Sequence, residues 1–271
     1  MADRSRLISI FRDTIAQYEN NERLKERTKA LLEGSVLCPE DHAVGKTREK
    51  AKEPVIVLSA DTTYSAARKE ADGKRKVAVL NFANAYTPGG GVTRGSMAQE
   101  ESLCRSSNLY ASLTLPQFMK DYYNWNRIYT DELGTSAVIV SPGVTVFKSD
   151  DLYPEPQEPW FDVDVLTCAA PHIHEGSELI VSEKKLRDVF YRRNRNIINV
   201  ARAFDEDVLI LGAFGCGAFH NPPELVADTY RQLLVTEGYG KYFEKVIFAI
   251  KPNYIRNTNL EAFQRVFREY C

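Results

Sequence analysis

Apolar positions along the chain change rhythm near residue 54. Before it, Leu7, Ile8, Phe11 and Ile15 recur at helical spacing, and the charged stretch that follows keeps the pattern to Leu32, with Gly34 a natural stop. This predicts a helical lead-in. Residues 35–53 hold Pro39, Gly45 and many charges and read as a surface connection. Beyond it, short apolar runs alternate with helical segments. Val55–Leu58, Val77–Phe82, Val138–Val140, Val144–Phe147, Val163–Leu166, Val208–Leu211 and Val246–Ile250 predict strands. Asp61 is a candidate N-cap for a short helix through Ala66 and Ala67. An apolar helix is expected from Leu103 to Leu113, and residues 177–204 read as helical. Pro222-Pro223-Glu224 opens a helix to about Leu234, and a last helix closes the chain. Near-continuous apolar strands between helices predict a sheet covered on both faces. The expectation is a three-layer α/β/α domain over residues 51–271, with residues 1–50 a helical extension packed on it.

Composition narrows the class. With 271 residues, 44% hydrophobic and 27% charged, the chain can bury a large core, so whole-chain disorder, a collagen-like fibre and a disulfide-stapled mini-protein are excluded. Lys plus Arg total 35 and Asp plus Glu 37, a formal charge of −2, which argues against a protein that coats duplex nucleic acid or reads its sequence. The balance leaves room for an anionic small ligand held by backbone amides. Cysteines stand at 38, 104, 168, 216 and 271 with no C-x-x-C pair, which predicts reduced thiols in an intracellular protein. Apolar runs are too short to span a bilayer, and the N-terminus has acids but no apolar signal core, so neither membrane nor secretion is expected.

Two glycine-rich loops follow predicted strands and precede predicted helices. One runs from Asn81 through Asn84 to Gly89-Gly90-Gly91; the other is Gly212-Ala213-Phe214-Gly215-Cys216-Gly217-Ala218-Phe219-His220-Asn221. Successive glycines admit positive φ and let a ligand approach the backbone. A glycine-rich loop feeding a helix N-terminus offers amide N–H groups to an anion. Neither loop is a Walker loop, since no Gly-Lys-Ser/Thr follows, and neither has dinucleotide-fingerprint spacing. Paired at the strand ends of one sheet, they mark a crevice of the kind in which open α/β sheets bind ligands. Gln99-Glu100-Glu101 follows the triple glycine by seven residues and opens an apolar helix. Acids there favour the helix dipole on their own account. They also place a carboxylate over whatever the glycines hold.

That combination resembles the signature of poly(ADP-ribose) glycohydrolases. The string NFANAYTPGGGVTRGSMAQEESLCRSSNLYASL is similar to the microbial-type branch, as are LGAFGCGAFHNPP, Thr62-Thr63 before Ala66-Ala67-Arg68, and Ser141-Pro142-Gly143-Val144. The likeness runs from about residue 55 to about residue 250. It implies a macrodomain with a mixed sheet, and an enzyme that hydrolyses ribose–ribose bonds of poly(ADP-ribose) to ADP-ribose, acting from the chain end. It implies Glu101 as the general acid that then activates water, Glu100 as a partner of the distal ribose, and Gln99 as a support of the loop. Asn84 matches a contact to the same ribose. Gly89, Gly90 and Gly91 would lie against that ribose and the diphosphate. Gly215, Cys216, Gly217 and Ala218 match the second diphosphate loop, and Phe219 an aromatic that packs on the ribose. No metal and no redox cofactor is implied. The expected partners are poly(ADP-ribose), ADP-ribose and ADP-ribosylated proteins, met by a monomer. Glycosidic cleavage passes through an oxocarbenium-like state and needs a proton for the leaving oxygen. Adjacent Glu100 and Glu101 cannot straddle a bond as paired glycosidase carboxylates do, so a one-acid scheme assisted by the ligand's own diphosphate fits better. Two other readings share the fold: a module that binds ADP-ribose without cutting it, and a hydrolase of a mono-ADP-ribosyl linkage on protein or nucleic acid.

Other residues invite chemistry of their own. His172 and His174 form a His-x-His pair, but the chain has four His in all and only His220 follows, too few for the usual zinc set. Cys216 lacks a positioned base. Arg192, Arg193, Arg195 and Arg202 read as a basic helix surface. Tyr122, Tyr123, Trp125 and Tyr129 read as core, with adenine stacking as the functional alternative.

Overall fold

Side-chain parity along the strands sorts the core into two halves. In the computed structural model, which describes residues 3–131, 133–172, 181–252 and 257–270, seven strands form one mixed sheet: β1 (Val36–Cys38), β2 (Ile56–Ser59), β3 (Val77–Ala83), β4 (Val138–Lys148), β5 (Pro156–Ala169), β6 (Val208–Leu211) and β7 (Lys245–Ala249). Their order is β1-β4-β5-β3-β6-β7-β2. The pairs β1/β4 and β4/β5 are antiparallel; β5/β3, β3/β6, β6/β7 and β7/β2 are parallel. Ala78, Leu80, Leu209, Leu211, Val246 and Phe248 face one apolar layer, while Val77, Val79, Val208, Ile210 and Ile247 face the other. Both faces are thus buried, which is why these strands read as continuous apolar runs.

Helices cover each face. The first layer is closed by α8 (Glu183–Ala203), α9 (Pro223–Arg231) and α10 (Thr258–Val266), through Phe190, Ile197, Tyr230 and Phe263. The second is closed by α1 (Arg4–Asn20), α2 (Glu22–Gly34), α3 (Thr63–Glu70), α4 (Gln99–Ser106) and α5 (Leu109–Leu113), through Phe11, Leu31, Tyr64, Leu103 and Leu109. Short helices α6 (Pro116–Phe118) and α7 (Trp125–Tyr129) flank a π-helical turn. The three-layer expectation holds. Among the described residues, no helix is long and apolar enough to cross a membrane.

Several boundaries differ from the sequence reading, each for a local reason. The lead-in is two helices, because Asn21 leaves helical geometry and its side chain caps α2 at the Leu24 N–H. Residues 35–53 are not all surface connection: Val36–Cys38 joins the sheet edge beside β4. The two expected strands around Ser141 are one. Val138 and Val140 face the first layer while Val144 and Val146 face the second, and the register shift between Ser141 and Val144 makes that exchange. Gly143, at φ 66°, sits in the bulge, its N–H on Asp164 Oδ1 at 2.8 Å. Strand β5 starts at Pro156, seven residues before Val163, since Pro156 and Asp162 pair with Lys148 and Thr145. The expected helix 103–113 breaks at Ser107-Asn108, where the Ser107 hydroxyl accepts the Leu109 N–H and the Asn108 side chain accepts the Thr145 N–H. Asp61 does not cap α3. It pairs with Lys69 at 2.6 Å, and Asp150 supplies the cap from another segment, accepting the Tyr64 N–H at 2.7 Å. Within the expected helix 177–204, residues 177–180 lie outside the described residues.

Candidate active site

The C-terminal end of β3 is held from α4. Gln99 Oε1 accepts the Phe82 N–H at 2.8 Å, and its Nε2 donates to the Leu80 carbonyl at 2.8 Å and to Thr63 Oγ1 at 3.0 Å. One amide side chain thus fixes strand end, helix start and α3 together. Asn84 Oδ1 accepts the N–H groups of Tyr86 and Thr87, at 2.8 and 2.9 Å, and turns the chain toward the glycines. The two acids then lock the loop from beneath. Glu100 Oε2 accepts the Asn84 N–H at 2.7 Å, and Glu101 Oε1 accepts the Gly91 N–H at 2.7 Å. Glu101 Oε2 is buried and takes part in no hydrogen bond. Gly90 has φ 57°, and a Cβ there would stand 2.6 Å from Glu101 Oε1. Only glycine lets the loop lie this close to the carboxylates.

Glu100 is 2% exposed. Burial pushes its carboxyl from 4.5 up to about 8; the charge of Glu101 adds to the rise, and hydrogen bonds from Asn84, Asn81 and Gly89 oppose it. A raised pKa means the folded state binds this proton more tightly than the unfolded chain does. Its contribution to stability is full below the unfolded value of 4.5 and is lost as pH rises through about 8. Thermal melts from about pH 6 to about pH 9 are expected to show Tm falling, and Glu100→Gln, which has no proton to lose, to flatten that slope.

The second loop leaves β6. Gly215 has φ 74°, and its carbonyl is gripped by Asn221 Nδ2 at 3.0 Å, the same amide reaching the Pro171 carbonyl at 2.8 Å. The Phe219 ring packs on His172 with centroids 4.6 Å apart. Cys216 turns its sulfur toward the Phe214 carbonyl, 3.6 Å away, and burial pushes the thiol up to about 12. It is a protonated thiol near neutrality, unsuited to nucleophilic attack.

Between the loops lies a cleft of about 890 Å³. Of the residues singled out in the sequence, Asn84, Gly90, Gly91, Gln99, Glu100, Glu101, Gly215, Gly217, Ala218 and Phe219 line it, whereas Gly89 and Cys216 do not. Gly89 instead lies against Tyr110, where a Cβ would meet the ring at 2.8 Å. Residues that the sequence reading did not assign to the site also line the cleft, among them Asp61, Arg94, Arg105, Asp150 and Lys251.

The family model described as "Microbial-type PARG, catalytic domain" matches residues 8–149. The crystal structure of poly(ADP-ribose) glycohydrolase from Thermomonospora curvata superposes with a TM-score of 0.87 at 31% identity, covering 98% of this chain and 100% of that one. The chain belongs to the microbial-type poly(ADP-ribose) glycohydrolase family. The glycohydrolase from T. curvata bound to the inhibitor ADP-HPD matches at TM-score 0.84 and 31% identity, covering 97% of this chain and 99% of that one. That from Deinococcus radiodurans in complex with ADP-ribose matches at TM-score 0.76 and 33% identity, covering 90% and 98%. No curated protein sequence matches the chain.

In this glycohydrolase the four arginines of α8 do not share one solvated face: Arg192 is exposed, whereas the other three are tied into the fold. Arg193 is 1% exposed and donates to the carbonyls of Ala169, Leu133 and Gly134, at 2.8, 2.6 and 3.1 Å. Arg195 pairs with Asp41, and Arg202 stacks 3.6 Å from the centre of the Tyr242 ring. Tyr122 and Tyr123 are core, Tyr122 accepting the Ala169 N–H, while Trp125 and Tyr129 are exposed and pack on each other. None of the four lines the cleft. His172 borders the second loop through Phe219, and His174 lies outside the described residues.

Proposed function

We propose that the chain cleaves ribose–ribose O-glycosidic bonds of poly(ADP-ribose) in this cleft, with Glu101 as general acid and then general base. The observation that carries this is the state of Glu101: Oε1 is fixed by the Gly91 N–H, while Oε2 is buried at the cleft without a partner. A carboxyl held by one oxygen keeps the other for a single reacting atom. In the first step Oε2 gives its proton to the bridging oxygen. The C–O bond breaks, its electron pair leaves with that oxygen, and an oxocarbenium-like ribose forms. In the second step the Glu101 carboxylate takes a proton from water as the water oxygen bonds to the same carbon.

Glu100 and Asn84 would hold the distal ribose, and Gly90, Gly91 and the 215–218 loop the diphosphate. Phe219 would pack on the ribose face and Gln99 would support the loop from the cleft wall, while Gly89 and Cys216 shape the loops from outside the contact surface. The diphosphate, near the developing cation, would favour it electrostatically. Residues 51–271 form the catalytic domain in this reading, because every residue lining the cleft falls within them. Residues 1–50 add helices α1 and α2 and the edge strand β1 to it.

Cleavage proceeds from the chain end. A cleft of about 890 Å³ lies in the range of pockets that enclose one small ligand, ~300–1,000 Å³, which favours a single terminal ADP-ribose unit. The enzyme would act as a monomer on polymer carried by ADP-ribosylated proteins. Incubation with purified polymer is expected to release monomeric ADP-ribose from the first time points. Early release of oligomers would overturn exo action, and no release from a folded sample would overturn the activity.

A further inference from the structure

Helix α4 grips the loop before it with two side chains one turn apart. Glu101 takes the Gly91 N–H at 2.7 Å, and Arg105, four residues on and on the same helical face, donates from Nη1 to the Ser96 carbonyl at 2.7 Å. The Ser96 N–H closes the turn on the Gly91 carbonyl at 3.1 Å. Gly91–Ser96 is therefore held at both ends by α4.

Helix α1 stands behind this grip at three points. The Thr14 hydroxyl donates to the Arg105 carbonyl at 2.6 Å. Arg4 backbone lies against Gly95, where a Cβ would meet the Arg4 carbonyl oxygen at 2.7 Å. Phe11 packs edge-on against Tyr110 with centroids 4.9 Å apart, and Tyr110 in turn backs Gly89. Lys148, 2% exposed, ties α1 to β4 by donating to Asp13 at 2.6 Å and to Thr14 Oγ1 at 2.8 Å.

Arg105 is 1% exposed, and its Nε has no partner. Burial disfavours its charge, and the nearby charge of Glu101 favours it. A buried guanidinium is a costly way to hold one carbonyl if packing were its whole purpose. It also lines the cleft. We propose that Arg105 and α1 form a brace that fixes the Gly91–Ser96 turn against Glu101, so that the N-terminal helix is a positioning element of catalysis. The proposal rests on the glycohydrolase reading, because it assigns Glu101 to the reacting atoms.

The test compares full-length parent, Arg105→Met, Arg105→Lys and Thr14→Val. Kinetics with poly(ADP-ribose), calorimetric affinity for ADP-ribose and amide hydrogen exchange over residues 91–96 are measured on each. Small misplacement of a reacting group costs one to two orders of magnitude, so Arg105→Met is expected to lose about 10-fold or more in kcat, with KM and ADP-ribose affinity within about 3-fold. Exchange over 91–96 speeds up. Arg105→Lys, which can still donate to the Ser96 carbonyl, recovers most of the rate and the protection. Thr14→Val is near in shape and leaves Arg105 intact; it removes the α1 hydroxyl that meets the Arg105 carbonyl, together with one acceptor of Lys148, which keeps Asp13. It is expected to move kcat and exchange in the same direction by a smaller factor, and it decides the matter if Arg105→Met does not fold. Folded variants with parental kcat and parental exchange overturn the brace, as does a rise in KM at unchanged kcat. An inactive parent overturns the glycohydrolase reading instead, and the exchange measurement still judges the brace.

Discussion

Glu101→Gln is expected to lower kcat for ADP-ribose release by about 10²-fold or more, the scale set by removing a general acid. The substitution keeps the side chain's length, and the amide oxygen can still accept the Gly91 N–H that Glu101 Oε1 accepts at 2.7 Å. The loop therefore stays in place, and ADP-ribose affinity is expected to stay within about 3-fold of the parent, since an amide removes proton transfer and leaves binding contacts intact. Steady-state release from polymer and calorimetry with ADP-ribose separate the two effects. Retention of kcat in a folded variant would remove Glu101 from the reaction. A parallel loss of affinity would make it a binding residue.

Glu100 serves as the comparison because the same chemistry stands one residue away in a different setting. Its oxygens accept from the Asn84 N–H and from Asn81 Nδ2, at 2.7 and 3.4 Å, so both are engaged within the protein. The inequality between the two acids comes from helix geometry. Successive residues on α4 point about 100° apart, so one carboxyl meets the start of the loop at Asn84 and the other meets Gly91. The sequence shows two identical residues, and the fold makes them different.

The sheet was legible because its strands are buried on both faces and run apolar without interruption; Val208–Leu211 matched to the residue. Segments whose structure depends on a partner were not. Val36–Cys38 is three residues long, follows a helix and becomes a strand only by pairing with β4. The first half of β5 carries Pro156 and Pro159, residues that disfavour a strand interior, and it is tolerated where its side chains are largely exposed. Within the site, the triple glycine and Gln-Glu-Glu were readable because every hydrogen bond that links them falls within twenty residues of chain. Asp150 is not readable because it caps a helix 86 residues away; Arg105 holds the Ser96 carbonyl only nine residues back, but its burial comes from packing that includes the distant α1. Arg193 did carry a signal. It follows Phe190 by three residues and precedes Ile197 by four, which puts it on the apolar face of α8 rather than among solvated charges.

Gly90→Ala is expected to disable the site by a different route. The residue has φ 57°, and the added methyl would stand 2.6 Å from Glu101 Oε1 and 3.0 Å from Glu100 Oε2. Left-handed backbone costs an L-residue ~1–2 kcal/mol, and the contact cannot be relieved at a far chain end, since both oxygens are anchored to loop N–H groups. Either the loop lifts or the carboxylates turn, and both displace Glu101 by a fraction of an ångström or more. A loss of about 10²-fold in kcat is expected from displacement on that scale. Gly73→Ala isolates the backbone cost. Its φ is 75° and nothing lies within 4 Å of the added carbon, so it is expected to lower stability by a similar ~1–2 kcal/mol while kcat stays parental. Denaturant melts and polymer-release kinetics on the two variants measure both quantities. Equal activity in Gly90→Ala and Gly73→Ala would mean that the loop absorbs the methyl without moving Glu101, and that the triple glycine serves the turn and not the site.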